Sequence, residues 1–338
     1  MAHWTALFIM SSLACTTSFI GTFFLIKWLN KKNIMDIPDE RTNHTIPTPR
    51  GGGLAVISTI IIFLTVASFY HEGLFSKIMP IMFGTIILST LSWIDDKKGL
   101  SPLIRFSTQI ITISIITLVY LDNKLFINDY IPYYAMVIFI ILLWTWFLNL
   151  FNFMDGINGI TSVETISICV GIIAIVSLAN LDKQYAFISA LCASSILGFL
   201  FWNWGNAKIF LGDVGSISMG FILGWLMLEL ASKGYWSPMI ILSLYYLFDS
   251  TYTITKRLLK KEKIWLPHSQ HFYQKAVRSG KSHANVTTAI LINNIALIIL
   301  AIVTSMDLKY NIEGLVLASI ILWGLISYLQ SNINSDIN

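Results

Sequence analysis

The chain has 338 residues, of which 55% are hydrophobic and 12% charged, whereas a typical soluble domain is about 25% charged. Its net charge is +4, and its 11 tryptophans contribute to an aromatic fraction of 13%. A soluble core cannot bury this much apolar surface, so the composition excludes an ordinary soluble domain and indicates a protein surrounded by lipid. The three cysteines lie inside apolar runs without a CxxC pair, and we interpret them as packing residues.

Eleven apolar segments of near-spanning length follow one another, since a transmembrane helix needs about 20 mostly apolar residues. They comprise residues 5–29, 51–70, 77–93, 103–121, 132–151, 160–179, 185–203, 214–231, 237–254, 286–305 and 314–330. The first is too long for the apolar core of a signal peptide and lacks a basic start, so we interpret it as a span. The pattern predicts an all-α polytopic membrane protein with about 11 transmembrane helices in a single domain, residues 1–338.

Lysine and arginine are distributed unequally between the loops. The loops and span ends after odd-numbered segments hold 17 of the 22 Lys and Arg residues, and the other loops hold five. Because short basic loops stay in the cytoplasm, we expect the N-terminus outside and the odd-numbered loops on the cytoplasmic face. The longest of these loops, residues 255–285, carries eight basic residues. A basic inner face suits anionic headgroups and phosphorylated substrates.

Adjacent carboxylates, Asp95 and Asp96, end the third predicted span on this inner face. Two carboxylates at a membrane boundary repel each other, and they persist if they share a cation or if one is protonated. We therefore interpret the pair as a candidate functional site. The alternative is a solvated helix end in which the two residues pair with Lys97 and Lys98.

The loop after the fifth span combines one carboxylate, three amides and two glycines over residues 149–159. It contains Asn152, Asp155 and Asn158 and has no Lys or Arg. Glycine lets a backbone approach a ligand closely, so we predict a binding loop here. A tight polar turn is the alternative.

The segment 207–216 leads into the eighth span and contains Lys208, Phe210 and Asp213. Its Gly-Asp-Val-Gly-Ser sequence offers backbone N–H groups at a helix start together with a carboxylate and a hydroxyl. That combination can hold a metal-bound phosphate. The alternative is a capped helix with Asp213 as its N-cap.

His268 and His271 lie three residues apart in the loop 255–285 and would share one face of a helix. A zinc site would need further Cys or His ligands nearby, so phosphate contacts beside Lys and Arg fit the pair better. Solvated loop histidines are the alternative.

Two other features are unusual for a membrane protein. Asp249 lies near the inner end of the ninth span, and an intramembrane carboxylate is a functional candidate by default. Its structural alternative is an ion pair with Lys256 or Arg257. Three glycines, at residues 51–53, begin the second span and suggest close backbone packing or a ligand contact. A stiff connector is the alternative for the segment 36–53 that contains them.

Together these residues suit phosphoryl transfer. Carboxylates can hold Mg²⁺, a hard cation that keeps phosphates in its shell. Basic side chains and histidines can neutralise the remaining phosphate oxygens, which is how such reactions are largely catalysed. The sequence therefore predicts a metal-dependent phosphoryl-type transfer at the inner membrane face, and we expect no nucleic-acid partner.

At these positions the sequence resembles the polyprenyl-phosphate N-acetylhexosamine-1-phosphate transferase family (glycosyltransferase 4 family), a relative of the phospho-N-acetylmuramoyl-pentapeptide transferase. Five motifs occur in the family's order over about residues 36–274, and together they are far more specific than any one alone. They are Asp36-x-Pro38-x-x-Arg41-x-x-His44-x-x-Pro47-Thr48-Pro49-Arg50-Gly51-Gly52-Gly53, Asp95-Asp96, Asn152-Phe-Met-Asp155-Gly156, Lys208-Ile-Phe210-Leu-Gly212-Asp213-x-Gly215-Ser216 and His268-x-x-His271-x-Tyr273-Gln274.

The resemblance implies a reaction and its setting. N-acetylhexosamine-1-phosphate would pass from a UDP-sugar to undecaprenyl phosphate, giving undecaprenyl-diphospho-sugar and UMP, with Mg²⁺ as cofactor and Mn²⁺ as a substitute. The enzyme would be a multi-pass protein of the bacterial cytoplasmic (inner) membrane. It would initiate a cell-surface polysaccharide such as the O-antigen of lipopolysaccharide or a cell-wall polymer, and a homodimer is compatible with the resemblance.

The resemblance also implies roles for the matching residues. Asp213 would ligate Mg²⁺, and either Asp95 or Asp96 would accept the proton of the lipid phosphate. Asp155 would lie beside the nucleotide, and Phe210 would pack on the uracil ring.

The resemblance implies two sets of site residues. The expected catalytic residues are Asp95, Asp96, Asp155, His268 and His271, and the two histidines would contact the sugar diphosphate. The expected substrate-binding residues are Arg50, Asn152, Asn158, Lys208, Phe210 and Tyr273. Direct attack by the lipid phosphate and a covalent aspartyl route both stay open.

One departure and two rival functions accompany this prediction. The family usually reads Asp-Gly-x-Asp-Gly, and Asn158 replaces the second Asp, so any acid or metal role at that position is in doubt. A transporter or lipid flippase would place ionisable residues near the bilayer midplane within paired halves, which the sequence does not show. A transferase acting on CDP-alcohols would carry an Asp-Gly-rich signature that is absent.

Overall fold

The computed structural model describes residues 2–38, 44–69, 73–120, 132–264, 266 and 268–331, and its chain is almost entirely helical. The helices are α1 (Ala2–Lys31), α2 (Gly53–Ser68), α3 (Leu74–Lys98), α4 (Pro102–Tyr120), α5 (Tyr133–Phe153), α6 (Ile160–Leu178), α7 (Lys183–Asn203), α8 (Asp213–Leu230), α9 (Trp236–Leu242), α10 (Leu244–Leu259), α11 (Phe272–Arg278), α12 (His283–Met306) and α13 (Asn311–Gln330). Two short strands, β1 (Met35–Asp36) and β2 (Thr48–Pro49), pair antiparallel, with Met35 opposite Pro49. The predicted all-α class is confirmed for the described part of the chain.

Within the described residues, nine helical stretches are long and apolar enough to cross a membrane, so the chain is a polytopic membrane protein. Two predicted spans differ from these stretches. The segment 51–70 contains α2, which is apolar but has only 16 residues. The segment 237–254 is divided between α9 and α10, which meet at Ser243. The count of eleven spans and the orientation of the chain stay predictions.

The chain changes direction between α8 and α9. A π-helical segment, Ala231–Tyr235, joins them, and within it Gly234 has a φ of 96°, a left-handed conformation that favours glycine. The Ser237 hydroxyl donates a hydrogen bond to the carbonyl of Asn311 at 3.0 Å, so α9 begins beside the start of α13. From there α9 and α10 run back toward the end of the bundle at which α8 begins.

Polar contacts fix the opposite end of the bundle. Lys77 at the start of α3 lies 2.8 Å from the carboxylate of Asp182, which caps α7. The Tyr185 hydroxyl donates to Glu229 at the end of α8, at 2.8 Å. The starts of α3 and α7 therefore lie beside the end of α8. It follows that the end of α3, the end of α7 and the start of α8 meet at the other side of the bundle.

Helix α8 is the centre of the bundle. Of its 18 residues, all but Met227 and Glu229 are buried. Trp144 of α5 stacks on Phe221 with ring centroids 4.9 Å apart, and its indole N–H donates to the Phe221 carbonyl at 2.9 Å. Outer helices instead expose large apolar side chains such as Leu103 and Trp323, at 74% and 71% exposure. Those faces suit contact with lipid tails.

Gly53 is a critical packing position, because a methyl group there would overlap the backbone of Gly215 in α8. We expect Gly53→Ala to lower the thermal unfolding midpoint of the detergent-solubilised protein, by an amount corresponding to about 1–3 kcal/mol of overpacking strain. The matched control is Gly324→Ala, since no atom lies within 4 Å of an added methyl at that helical glycine. Equal midpoints for the two variants would contradict the close approach of α2 and α8.

Candidate active site

A cavity of about 650 Å³ lies where the ends of α3, α5 and α7 meet the starts of α4, α6, α8 and α12. Ten of the twelve site residues predicted from the sequence line it. They are Arg50, Asp95, Asp96, Asn152, Asp155, Asn158, Phe210, Asp213, His268 and His271. The lining residues come from distant parts of the chain, since Asp36 and His283, which are 247 positions apart, face the same cavity.

Backbone hydrogen bonds hold Arg50 at this cavity. The N–H of Phe210 donates to the Pro49 carbonyl at 2.8 Å, and the N–H groups of Gly51 and Gly52 donate to the Phe210 carbonyl at 3.2 and 2.9 Å. The Gly53 N–H continues the pattern by donating to the carbonyl of residue 211 at 2.8 Å. The glycine triplet thus serves close backbone packing, one of the two roles that its sequence suggests.

Two arginines lie between the carboxylates of the cavity. The Arg50 guanidinium contacts Asp213 through Nη2 at 2.7 Å and Asp96 through Nε at 2.9 Å. Arg105 contacts Asp95 at 3.0 Å and Asp213 at 3.6 Å through Nη1. Burial would lower the pKa of Arg50, but the charges of Asp213 and Asp96 outweigh it and hold that pKa above its ordinary value. Arg50 is therefore a permanent cation within this group.

The two adjacent carboxylates do not form the solvated helix end, paired with Lys97 and Lys98, that was the alternative to a functional site. Asp95 and Asp96 pair with arginines from other parts of the chain and not with the lysines that follow them. The Lys97 ammonium instead lies over the Trp93 ring, 4.2 Å from its centroid. The Asp96 side chain is only 1% exposed, so an unpaired charge there would be costly.

Asp213 is the first residue of α8, and its N-cap is Gly212, so the interpretation of Asp213 as the N-cap is wrong. The start of the helix is satisfied by Asp96, whose carboxylate accepts from the N–H groups of Asp213 and Val214 at 3.3 and 3.4 Å. A carboxylate at a helix N-terminus is favoured by the helix dipole. The Asp213 side chain is consequently left to face the cavity.

The loop between α5 and α6 presents two polar side chains to the cavity. The Asn152 amide oxygen accepts a hydrogen bond from the Ser216 hydroxyl at 2.6 Å, which joins this loop to α8. Asp155 accepts from the Thr161 hydroxyl at 2.5 Å. Burial raises the pKa of Asp155 to about 6, although the hydrogen bond from Thr161 opposes the rise. Asp155 is thus mostly ionised at pH 7.

Asn158, the departure from the family pattern, has a structural task. Its side-chain amide donates a hydrogen bond to the carbonyl of Gly205 at 2.5 Å, which an aspartate could not do. Its backbone N–H donates to Nδ1 of His283 at 3.2 Å, and its carbonyl accepts from Thr287 at 2.9 Å. Asn158 therefore ties the loop to α12 and to the turn after α7, while it also lines the cavity.

The two histidines of the final motif do not lie on one helix, so the shared helical face that a helix there would give them does not form. His268 precedes α11 in irregular structure, and His271 is the N-cap of α11. Their rings are nevertheless close, with centroids 5.0 Å apart. Burial and the nearby His271 lower the pKa of His268 to about 4, so His268 is neutral at pH 7.

Lys208 and Tyr273 are the two predicted substrate-binding residues that do not line the cavity. Lys208 is exposed. Tyr273 is fully buried, and its hydroxyl donates to the Phe153 carbonyl at 3.0 Å beside Gly156, so it packs the binding loop against α11. Arg41 of the first motif lies outside the described residues.

Comparison with known proteins places the chain in a family. The family model for glycosyl transferase family 4 matches residues 78–231. A probable undecaprenyl-phosphate N-acetylglucosaminyl 1-phosphate transferase of Bacillus subtilis is 30% identical over 263 residues, which cover 75% of this chain and 72% of that protein. The chain belongs to glycosyl transferase family 4.

Two further relatives match this chain over most of their length. An undecaprenyl-phosphate alpha-N-acetylglucosaminyl 1-phosphate transferase of Thermotoga maritima is 26% identical over 302 residues, covering 88% of this chain and 87% of that protein. A phospho-N-acetylmuramoyl-pentapeptide-transferase of Nitratiruptor is 27% identical over 342 residues, covering 87% and 95%. These relatives confirm the family that the five motifs predict.

The cavity of this family 4 member is rich in carboxylates. Carboxylate oxygens are the ligands that Mg²⁺ prefers, and five aspartates line the cavity: Asp36, Asp95, Asp96, Asp155 and Asp213. In the described part of the chain, no three His, Cys, Asp or Glu side chains converge on one point. The guanidinium groups of Arg50 and Arg105 fill the space between the carboxylates instead.

Several cavity residues of this family 4 member are missing from the predicted site. Arg105 was counted only as a basic loop residue, although its position ten residues after Asp95 allows a contact across the turn between α3 and α4. His44 lies against Phe210 with ring centroids 4.8 Å apart, and its Nε2 is buried without a hydrogen-bond partner among the described residues. The occurrence of His44 in the first motif is the sequence feature that could have indicated it as a site residue. His283 also lines the cavity, but no local pattern indicates it.

The amide of Asn158 generates a stability prediction. Asn158→Asp would set a carboxylate oxygen against the Gly205 carbonyl, so we expect a destabilisation of about 1–3 kcal/mol, measured as a lower thermal unfolding midpoint. Asn206→Asp is the matched control, because Asn206 is exposed on the same turn. If Asn158→Asp is as stable as that control, the hydrogen bond to Gly205 does not hold the loop.

Proposed function

We propose that this family member transfers N-acetylhexosamine-1-phosphate from a UDP-sugar to undecaprenyl phosphate at the cytoplasmic face of the bacterial inner membrane, with release of UMP. The observation that carries the proposal is the cavity at the helix ends, where Arg50 and Arg105 lie among Asp95, Asp96 and Asp213. The names of the relatives from Bacillus subtilis and Thermotoga maritima support both the lipid acceptor and an N-acetylhexosamine donor.

The overall bond change is a phosphoryl transfer. An oxygen of the lipid phosphate would form a bond to the phosphorus that carries the sugar, and the bond from that phosphorus to the bridging oxygen of UMP would break. The charge would then leave with UMP. Such transfers are catalysed mainly by positioning and by neutralising phosphate charge, which is the task that we assign to Arg50 and Arg105.

The remaining cavity residues divide between the two substrates. Phe210 would stack on the uracil ring, with His44 at its edge, because these two aromatic rings already contact each other. Asp155 would lie beside the nucleotide. His268 and His271 would contact the diphosphate, and the neutral ring of His268 can do so by donating one N–H.

Asp95 and Asp96 are proposed at the lipid phosphate, one of them accepting its proton. Both lie in the last turn of α3, at the depth of a lipid headgroup if α3 spans the membrane. Mg²⁺, when bound, would be held by Asp213 and would neutralise charge on the diphosphate.

The place of the site within the bundle favours an enzyme over a transporter. Its charged residues come from helix ends, whereas a transporter is expected to bind its substrate near the bilayer midplane. We propose that the product initiates a cell-surface polysaccharide, of which O-antigen is one example.

The direct test is UMP release by purified, detergent-solubilised protein with Mg²⁺, across a panel of UDP-N-acetylhexosamines that starts with UDP-N-acetylglucosamine. We expect release that requires both undecaprenyl phosphate and one particular donor. Release that is independent of the lipid phosphate would indicate a hydrolase, and no release with any donor from folded protein would favour the transporter.

Asp213→Asn supplies the control for that assay, because the amide keeps the shape of the side chain while removing its charge. We expect at least about a 100-fold loss of UMP release from protein that still unfolds cooperatively. Asp182→Asn, at the opposite end of the bundle, should keep wild-type activity. Near-normal turnover by Asp213→Asn would exclude Asp213 as the metal ligand.

A further inference from the structure

A fully buried aspartate, Asp249 of α10, lies behind the histidines of the cavity without lining the cavity itself. Its Oδ1 is 3.0 Å from Nδ1 of His271. The backbone N–H of Phe272 donates to Oδ1 and Oδ2 at 3.2 and 3.1 Å. The hydroxyls of Tyr245 and Thr253 donate to Oδ2 and Oδ1 at 3.1 and 3.2 Å. The carboxylate therefore joins α10 to the start of α11.

This contact differs from the ion pair with Lys256 or Arg257 that the sequence suggests. Arg257 is engaged elsewhere, since its Nε lies 2.8 Å from Glu262. The contact that Asp249 makes toward the cavity is with His271, whose side chain is 1% exposed. Asp249 is thus a buried acid that does not line the cavity, whereas its neighbour His271 does.

The contact with Asp249 determines which ring nitrogen of His271 carries the hydrogen. The other described hydrogen-bond partners of Asp249 are all donors. Its carboxylate therefore acts as the acceptor, and Nδ1 of His271 carries the hydrogen. Nε2 is then the ring nitrogen left for a ligand in the cavity that His271 lines. Stacking on Tyr273, with centroids 5.7 Å apart at 15°, and the neighbouring ring of His268 restrict rotation of the imidazole.

We propose that Asp249 is a positioning residue of this enzyme, which acts by holding the orientation and the tautomer of His271 so that Nε2 faces the substrate. The ligand of Nε2 rests on the proposed function and is the diphosphate of the UDP-sugar. The arrangement corresponds to the use of a buried carboxylate to orient a functional histidine, in which the carboxylate never touches the substrate.

A double-mutant cycle tests the proposal, with Asp249→Asn, His271→Gln and the combined variant compared with wild type in the UMP-release assay. Asparagine keeps the size of the side chain, but its NH₂ group would meet donors, so Nδ1 loses its acceptor or becomes an acceptor itself. We expect Asp249→Asn to lower kcat/KM for the UDP-sugar at least tenfold in the wild-type background. In the His271→Gln background the further loss should be less than twofold.

A second readout separates positioning from general loosening of the fold. Because His271 is assigned to the donor diphosphate, we expect Asp249→Asn to change kcat and the KM for the UDP-sugar, while the KM for undecaprenyl phosphate stays within twofold. Tyr245→Phe is the matched control, since it removes one hydroxyl donor and leaves the contact of Asp249 with His271. Its kcat/KM should fall less than threefold.

Equal losses from Asp249→Asn in both backgrounds, or equal rises in both KM values, would overturn the proposal. Thermal unfolding midpoints of the same four proteins give a cycle that does not depend on turnover. The Asp249→Asn shift should be smaller when His271 is already replaced, and additive shifts would refute the pairing. If wild type releases no UMP, the proposed function fails, and this second cycle still decides whether the pair exists.

Discussion

The contact on which the site depends is the bridge that Arg50 makes between Asp96 and Asp213, with N···O distances of 2.9 and 2.7 Å. One carboxylate ends α3 and the other begins α8, so a single guanidinium holds two membrane helices in register at the cavity. Side chains as enclosed as Asp96 cannot keep their charge unpaired without a large desolvation cost. The planar guanidinium suits this task because its donors point in fixed directions.

Packing deeper in the bundle supports that bridge. Gly53 and Gly215 let α2 approach α8 closely, and this approach brings the backbone of residues 50–53 within hydrogen-bonding distance of residues 210 and 211. At the far end, Lys77 and Asp182 hold the starts of α3 and α7 together. Near the cavity, the close packing of α2 against α8 therefore sets the position of Arg50.

Much of this arrangement could be predicted from local pattern. Apolar runs predict the helices. Acidic residues at span ends, such as Asp96 and Asp213, predict a common site at one membrane face, because charged side chains are costly in the hydrocarbon core. Partners across the sequence could not be predicted, since a pattern does not encode which arginine reaches which carboxylate. For the same reason, the division of the ninth span at Ser243 and the contact of Asp249 with His271 appear only in the folded chain.

The measurement that tests the central role of the bridge is UMP release by Arg50→Lys, with Lys97→Arg as the control. An ammonium is a single point charge and cannot keep both contacts of the guanidinium, whereas Lys97 lies over Trp93 and pairs with neither carboxylate. We predict that Arg50→Lys lowers kcat/KM at least tenfold while Lys97→Arg stays near wild type. Wild-type turnover by Arg50→Lys would contradict the account, because the site would then not depend on the bridge.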